Sequence, residues 1–157
     1  MKSLTFFRHA KAEHDSTSGR DFDRRLAERG EMDAARMGDE LRRLGLEFDL
    51  ILSSPAVRAV QTAELSGLAP RFDQRIYNAS TDQLLALVQE TGDQVGRLLM
   101  VGHNPGFERL ASKLVGEQLE MPTGSLIEIE LAMGRWRDIG RGNYLLSRFL
   151  KPRDLMR

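Results

Sequence analysis

The sequence has 157 residues, with 23 Lys and Arg balanced by 23 Asp and Glu, and no cysteine. That length suits one domain with a real core, and the charge balance gives the molecule no bias toward nucleic acid or a membrane surface. The missing thiols exclude a disulfide framework and cysteine chemistry.

No run approaches the ~20 apolar residues of a membrane span, and LTFF followed at once by Arg8 is too short for a signal-peptide core. The expectation is a single soluble, cytoplasmic domain over 1–157, with no nucleic-acid or membrane partner. Oligomeric state is left open.

In chain order, residues 3–7 predict a short buried strand and residues 10–25 a polar stretch with loop chemistry at DSTSG. A helix follows to about residue 44. Ala34, Met37, Leu41 and Leu44 fall at helical spacing, and Gly45 sits where a C′ glycine belongs. Its arginines Arg36, Arg42 and Arg43 alternate with Glu31, Asp39 and Glu40, the pattern of a solvated, salt-bridged face. Residues 49–53 read as a second apolar strand. Ser54-Pro55 then has the form of an N-cap with proline at the first helical position, opening a helix to about Ser66.

Residues 71–76 predict a short strand and residues 80–90 a helix with Leu84, Leu87 and Val88 on one face. Residues 97–101 are a third buried strand, and Asn104-Pro105 repeats the cap-then-proline form before a helix to about Val115. Ile127, Ile129 and Leu131 alternate with Glu128 and Glu130, which predicts a strand with one wet face. A turn at Met133-Gly134 would lead to a partner strand over residues 136–139, where Trp136 is expected to pack, and residues 151–154 read as a loose tail. The β-α alternation predicts an α/β fold: a three-layer α/β/α sandwich with a mostly parallel central sheet, finished by a C-terminal hairpin.

Three of the buried strands end in unusual residues: Arg8-His9, then Ser53-Ser54-Pro55 with Arg58 close behind, then Gly102-His103-Asn104-Pro105. Ligands of open α/β sheets bind beyond the carboxyl ends of the strands. Two of these ends also feed helix N-termini, which favour anions. Singly, each residue has an ordinary reading: a strand-end cation, a structural histidine, a helix cap, a solvated arginine. Together, two arginines, two histidines and two helix N-termini converging on one spot suit a phosphate, whose oxygens match guanidinium forks in pairs.

With these pieces placed, the chain resembles the histidine phosphatase superfamily, the phosphoglycerate mutase-like branch that also holds acid phosphatases. The matching segments are FFRHA at 6–10, DRRLAERG at 23–30, LSSPAVRAVQTAE at 52–64 and VGHNP at 101–105. The likeness is nearest to the short SixA-type phosphohistidine phosphatases and covers residues 3 to about 131. It implies His9 as the nucleophile that accepts the phosphoryl group, with Arg8, Arg58 and His103 holding its oxygens, Arg24 lining the pocket and Asn104 placed where backbone N–H groups contribute. It implies a metal-independent phosphatase without cofactor. Chemistry agrees: a histidine nucleophile must be neutral, nearby arginines penalise imidazolium, and the same cations stabilise a transferring phosphoryl group.

Two positions depart from the family pattern. Ala10 replaces the glycine that often follows the nucleophile, as in SixA-like members. Residues 75–80 (RIYNAS) hold no carboxylate where mutases and many phosphatases carry a glutamate general acid. An alkoxide leaving group needs such a donor; a protonated imidazole needs much less help. The expected substrate is therefore a protein phosphohistidine, with a small phosphate ester as the alternative, and the acid is Asp21, Asp23, Asp82 or none. Three rivals remain: a non-catalytic phosphate or phosphohistidine binding module, a mutase, and a metal-dependent hydrolase using His9, His14 and His103. The last is disfavoured because arginines repel a cation and such metals want carboxylates.

Overall fold

The computed structural model describes residues 1–140 and 143–155. Six strands form one sheet: β1 (Lys2–Arg8), β2 (Leu50–Ser53), β3 (Arg71–Phe72), β4 (Arg97–Gly102), β5 (Leu126–Leu131) and β6 (Leu145–Leu150). Their order is β3-β2-β4-β1-β5-β6. The first four are mutually parallel, whereas β5 runs antiparallel to both β1 and β6. Strands β1 and β4 lie at the centre and are buried on both faces, as strands covered twice are.

Four helices cover the sheet: α1 (Glu28–Arg43), α2 (Val57–Leu65), α3 (Thr81–Gln89) and α4 (Gly106–Val115). Met37 and Leu41 of α1 and Ala59 and Ala63 of α2 pack on Phe7, Leu99, Val101 and Leu126. Leu84 and Leu87 of α3 and Phe107 and Leu110 of α4 pack on Leu4, Phe6, Leu98, Met100 and Ile127. Phe6 and Phe107 meet ring to ring at 5.0 Å; burying each contributes about 2–3 kcal/mol. The result is the expected three-layer α/β/α arrangement, with a mostly parallel sheet.

Several local expectations fail for identifiable reasons. Residues 136–139 are not a strand: Trp136–Asp138 is a 3-10 turn. Trp136 is fully buried there, its Nε1 donating to the Val95 carbonyl at 2.8 Å and Lys2 Nζ lying over its ring. The true partner of β5 is β6, which comes later in the chain. Residues 71–76 split into the two-residue β3 and a 3-10 turn at Gln74–Ile76. Glu128 is buried, not wet, because Arg97 (2.8 Å) and Arg148 (3.3 Å) pair with it across the strands. The tail is not loose either: Pro152–Leu155 forms a 3-10 turn whose Pro152 is buried, and it packs on α1.

Neither Ser54 nor Asn104 caps a helix. Helix α2 begins at Val57 behind Ala56, and α4 begins at Gly106 behind Pro105, neither with a side-chain cap. Both polar side chains are used elsewhere. Ser80 does cap α3, in a reciprocal pair with Gln83. The exposed face of α1 carries the expected ion pairs, Arg42–Asp39 and Arg43–Glu40, each at 2.6 Å. Among the described residues no helix is long and apolar enough to cross a membrane.

Candidate active site

Parallel register sets the geometry. Arg8 lies opposite Gly102, and Ser53 lies opposite Val101, so β1, β2 and β4 end at one level. The residues that follow these ends share one cleft of about 580 Å³. It is lined by Arg8, His9, Arg24, Arg58, His103 and Asn104, together with Lys11, His14, Asp21, Tyr77, Asn78 and Thr123. All six residues singled out from sequence therefore meet at one place.

The strand end carrying His9 is clamped on both sides. Its N–H donates to the Gly102 carbonyl and its own carbonyl accepts from Gly124, each at 2.9 Å. The Ala10 N–H donates to Thr62 Oγ1 at 3.0 Å, tying the strand to α2. His9 Nδ1 lies 2.7 Å from the Ala10 carbonyl. A carbonyl can only accept, so Nδ1 carries the proton and Nε2 keeps its lone pair. Burial, reinforced by Arg58, Arg8 and Arg24, holds the imidazole's pKa down at about 4, against the pull of the Ala10 bond. His9 is thus a fixed imidazole, neutral at neutral pH, with Nε2 unprotonated.

The cations are held from behind. Arg8 donates from Nη1 to the Met121 carbonyl at 2.8 Å, while its Nε is buried with no partner in the protein. Burial, with Arg58 nearby, lowers the Arg8 pKa, and Glu108 opposes this. Arg58, on the first turn of α2, donates from Nη1 to the Asp21 carbonyl (2.8 Å) and from Nη2 to its carboxylate (3.0 Å). Arg24 donates to the Glu13 carbonyl at 2.7 Å and to the Asp21 carboxylate at 2.9 Å.

Asp21 is therefore the centre of the cleft's polar network. Its carboxylate also accepts from the Tyr77 hydroxyl at 2.8 Å. Partial burial pushes its pKa up, but the bonds from Arg24, Tyr77 and Arg58 outweigh that and hold it far below the usual carboxylate range. Of the three candidate acids only Asp21 lines the cleft, and it is ionised. Asp23 takes the Ser18 hydroxyl at 2.7 Å, and Asp82 sits in the first turn of α3, in a separate depression with Ser80 and Arg109.

His103 stands beside His9, the two ring centroids 5.2 Å apart. Tyr77 lies edge-on to it at 5.6 Å, and Phe22 edge-on to Tyr77 at 5.1 Å. Burial, then His9 and Arg58, hold the His103 pKa down at about 3, with Asp21 opposing. Asn104 does not face outward as a donor. Its Nδ2 donates to Glu108 Oε2 (2.8 Å) and to the Met121 carbonyl (3.0 Å), and Glu108 Oε2 also accepts from the Met121 N–H (3.0 Å). Glu108 and Asn104 thus brace the segment that anchors Arg8.

Sequence reasoning missed Tyr77, Glu108 and Thr123. Tyr77 lies inside the stretch already noted for its missing carboxylate, so its phenol was the readable signal. Glu108, four residues after Asn104 on the same helix, was a second. Thr123 carries no such signal. His14 lines the cleft wall, and among the described residues no group of three His, Asp or Glu is arranged to hold a metal ion. The floor instead offers guanidinium and neutral imidazole nitrogens to an anion.

Comparison with known proteins identifies the family. The model of the histidine phosphatase superfamily (branch 1) matches residues 4–79. An uncharacterised protein of Mycobacterium tuberculosis strain H37Rv is 35% identical over 159 residues, which cover 93% of this chain and 99% of that protein. Two solved structures, each provisionally named phosphohistidine phosphatase SixA, superpose closely. The one from Agrobacterium tumefaciens is 29% identical with a TM-score of 0.82, covering 96% of this chain and 98% of that one. The one from Nakamurella multipartitia is 25% identical with a TM-score of 0.86, covering 96% of each. The chain belongs to the histidine phosphatase superfamily, branch 1, and is a phosphatase of SixA-like architecture.

Proposed function

We propose that the chain, as a single domain, dephosphorylates protein phosphohistidine through a covalent phosphoryl-His9 intermediate. The observation that carries the reading is the His9 tautomer: Nδ1–H is spent on the Ala10 carbonyl, which leaves Nε2 as the nucleophile above a cationic floor. Nε2 attacks phosphorus, and the bond to the substrate imidazole breaks. A substrate ring protonated at its other nitrogen leaves as neutral imidazole. Water then attacks the phosphoryl-His9, gives its proton to solvent, and frees inorganic phosphate. Arg8, Arg24 and Arg58 stabilise charge on the transferring group. A metal ion is not required, and three guanidinium groups at the floor repel one.

The substrate class follows from the acid. The carboxylate lining the cleft is Asp21, which is held ionised and so has no proton to give an alkoxide. That disfavours an alkyl ester and a mutase, and leaves the P–N bond as the fitting target. The names of the two SixA structures support the same class. Rapid-quench trapping tests it. Labelled protein phosphohistidine and a labelled alkyl phosphate are offered separately, in chelator, to the native chain and to His9→Ala. The expected result is a base-stable, acid-labile adduct on the native chain, formed faster from phosphohistidine, and none on His9→Ala. Faster labelling by the alkyl phosphate overturns the substrate class. Binding without an adduct from either donor overturns the enzyme mechanism in favour of a binding module.

A further inference from the structure

We propose that Ser54 is a positioning residue that fixes the tautomer of His103, so that His103 donates its Nδ1–H to the bound phosphoryl group while remaining uncharged. The inference rests on the reading that the cleft receives a phosphoryl group. Ser54 is fully buried between β2 and α2, and its backbone N–H is fixed on the Val101 carbonyl at 3.0 Å. Its hydroxyl oxygen has two neighbours. The Ala56 N–H donates to it at 3.2 Å, and His103 Nε2 lies 2.8 Å away.

An amide N–H has no choice of role, so Ser54 Oγ accepts from Ala56. A buried hydroxyl whose proton has no acceptor costs on the order of 1–3 kcal/mol, and His103 Nε2 is the acceptor within reach. Nε2 therefore accepts the hydrogen bond from the serine hydroxyl and carries no proton of its own. Neutral imidazole carries one N–H, which must then be on Nδ1. Nδ1 is itself buried with no partner in the protein, as are Nε of Arg8 and Nε of Arg58. These three nitrogens belong to residues that line the cleft, and a tetrahedral dianion is a guest that could use them together.

The arrangement answers a conflict in the site. His103 faces His9 and Arg8 from β1, Arg58 from α2, and Asp21 and Tyr77 from the rim. With two arginines close by, a charged imidazolium is disfavoured, yet a neutral imidazole of the other tautomer would aim a lone pair at the phosphate. Ser54 removes that outcome. The same residue explains why the Ser-Pro pair does not cap its helix: its oxygen and proton are already committed.

Nitrogen-resolved NMR of the histidine rings in the native chain tests this directly, at about pH 7.5 and without substrate. The expected pattern for His103 is a protonated Nδ1 and a pyridine-like Nε2; the reverse pattern overturns the proposal, whether or not any variant folds. Ser54→Ala is then titrated with orthovanadate. Binding at about pH 7.5 is expected to weaken about tenfold, the scale of one hydrogen bond to a charged group, and the His103 ring of Ser54→Ala is expected to lose its single-tautomer pattern. No weakening, or a His103 ring in Ser54→Ala that keeps the native tautomer pattern unchanged, overturns it. Trapping on His9 reports separately: an adduct formed by the native chain with the wrong His103 tautomer sinks this proposal and spares the function, whereas the right tautomer without an adduct does the opposite.

Discussion

Lowering the pH from about 8 to about 5 will destabilise the folded chain through its two buried imidazoles. In the unfolded chain a histidine titrates near its ordinary 6.5, whereas in the fold His9 titrates at about 4 and His103 at about 3. Between these limits the unfolded state binds protons that the folded state refuses, so stability falls as pH falls through 6.5 and continues to fall until the folded values are reached. At about pH 5 the unfolded imidazole is favoured by roughly 1.5 pH units, which is about 2 kcal/mol for each histidine and about 4 kcal/mol for the pair. Because both folded values lie well below pH 5, this figure barely depends on them. Asp21 does not interfere, since a carboxylate held down contributes stability that is lost only below its ordinary 3.8. The assay is urea unfolding at both pH values in phosphate-free buffer, on the native chain and on the His9→Gln/His103→Gln double variant. His14 is common to both proteins and cancels. The native chain should lose about 4 kcal/mol more than the double variant between the two conditions. Equal losses, with equal denaturant slopes, would refute the claim that the two rings are buried and neutral.

Three further outcomes follow from the same contacts. Asp21→Asn removes a charge that faces an incoming anion and that accepts from Nη2 of Arg58, while the main-chain carbonyl that accepts from Nη1 is kept; orthovanadate inhibition should tighten by up to about tenfold, and weaker inhibition would show that Asp21 orders the arginines more than it competes with the ligand. Glu108→Ala strips the brace from Asn104 and the Met121 N–H, so urea unfolding should show a loss of about 1–3 kcal/mol, and KM should rise as Arg8 loses its fixed anchor; an unchanged KM counts against that linkage. Gly30→Ala would drive a methyl group into the Lys11 main chain, so Tm should drop by the equivalent of about 1–3 kcal/mol, with kcat/KM falling because Lys11 and Ala12 wall the cleft.

The parts of the site that could be read in the sequence were those fixed by strand ends. Arg8-His9, Ser54-Pro55 and His103-Asn104 each follow an apolar run, and parallel pairing brings such ends to one level without help from other residues. Arg24 and Asp21 were readable only as a family match and as one of three possible acids. Their meeting with Arg58 depends on how the loop over residues 10–25 folds back, which local spacing does not encode. The caps failed because Ser54 and Asn104 have helix-capping chemistry but stronger tertiary partners in His103, Glu108 and the Met121 carbonyl. The sheet was legible in its parallel half and less so beyond it. Trp136 and Ile139 look like strand residues because they are aromatic and β-branched, yet they serve the core from a 3-10 turn. The pairing of β6 with β5 shifts register between Glu128 and Ile129, so simple alternation could not disclose it.

The placement of β1 bears on how the chain becomes active during synthesis. The strand that carries His9 lies between partners made much later in the chain: Phe6 pairs with Met100 on one side and with Ile127 on the other. The His103 ring and the Met121 carbonyl that anchors Arg8 arrive on the same late schedule. Until β5 has emerged, the nascent chain carries the Arg-His pair on a strand that lacks one of its two neighbours. Folding is governed by distant contacts, and phosphatase activity begins only after residues 126–131 have been made. A chain stopped before residue 126 would not be a weaker enzyme but an inactive one, with the LTFF segment open to chaperones and to other strands.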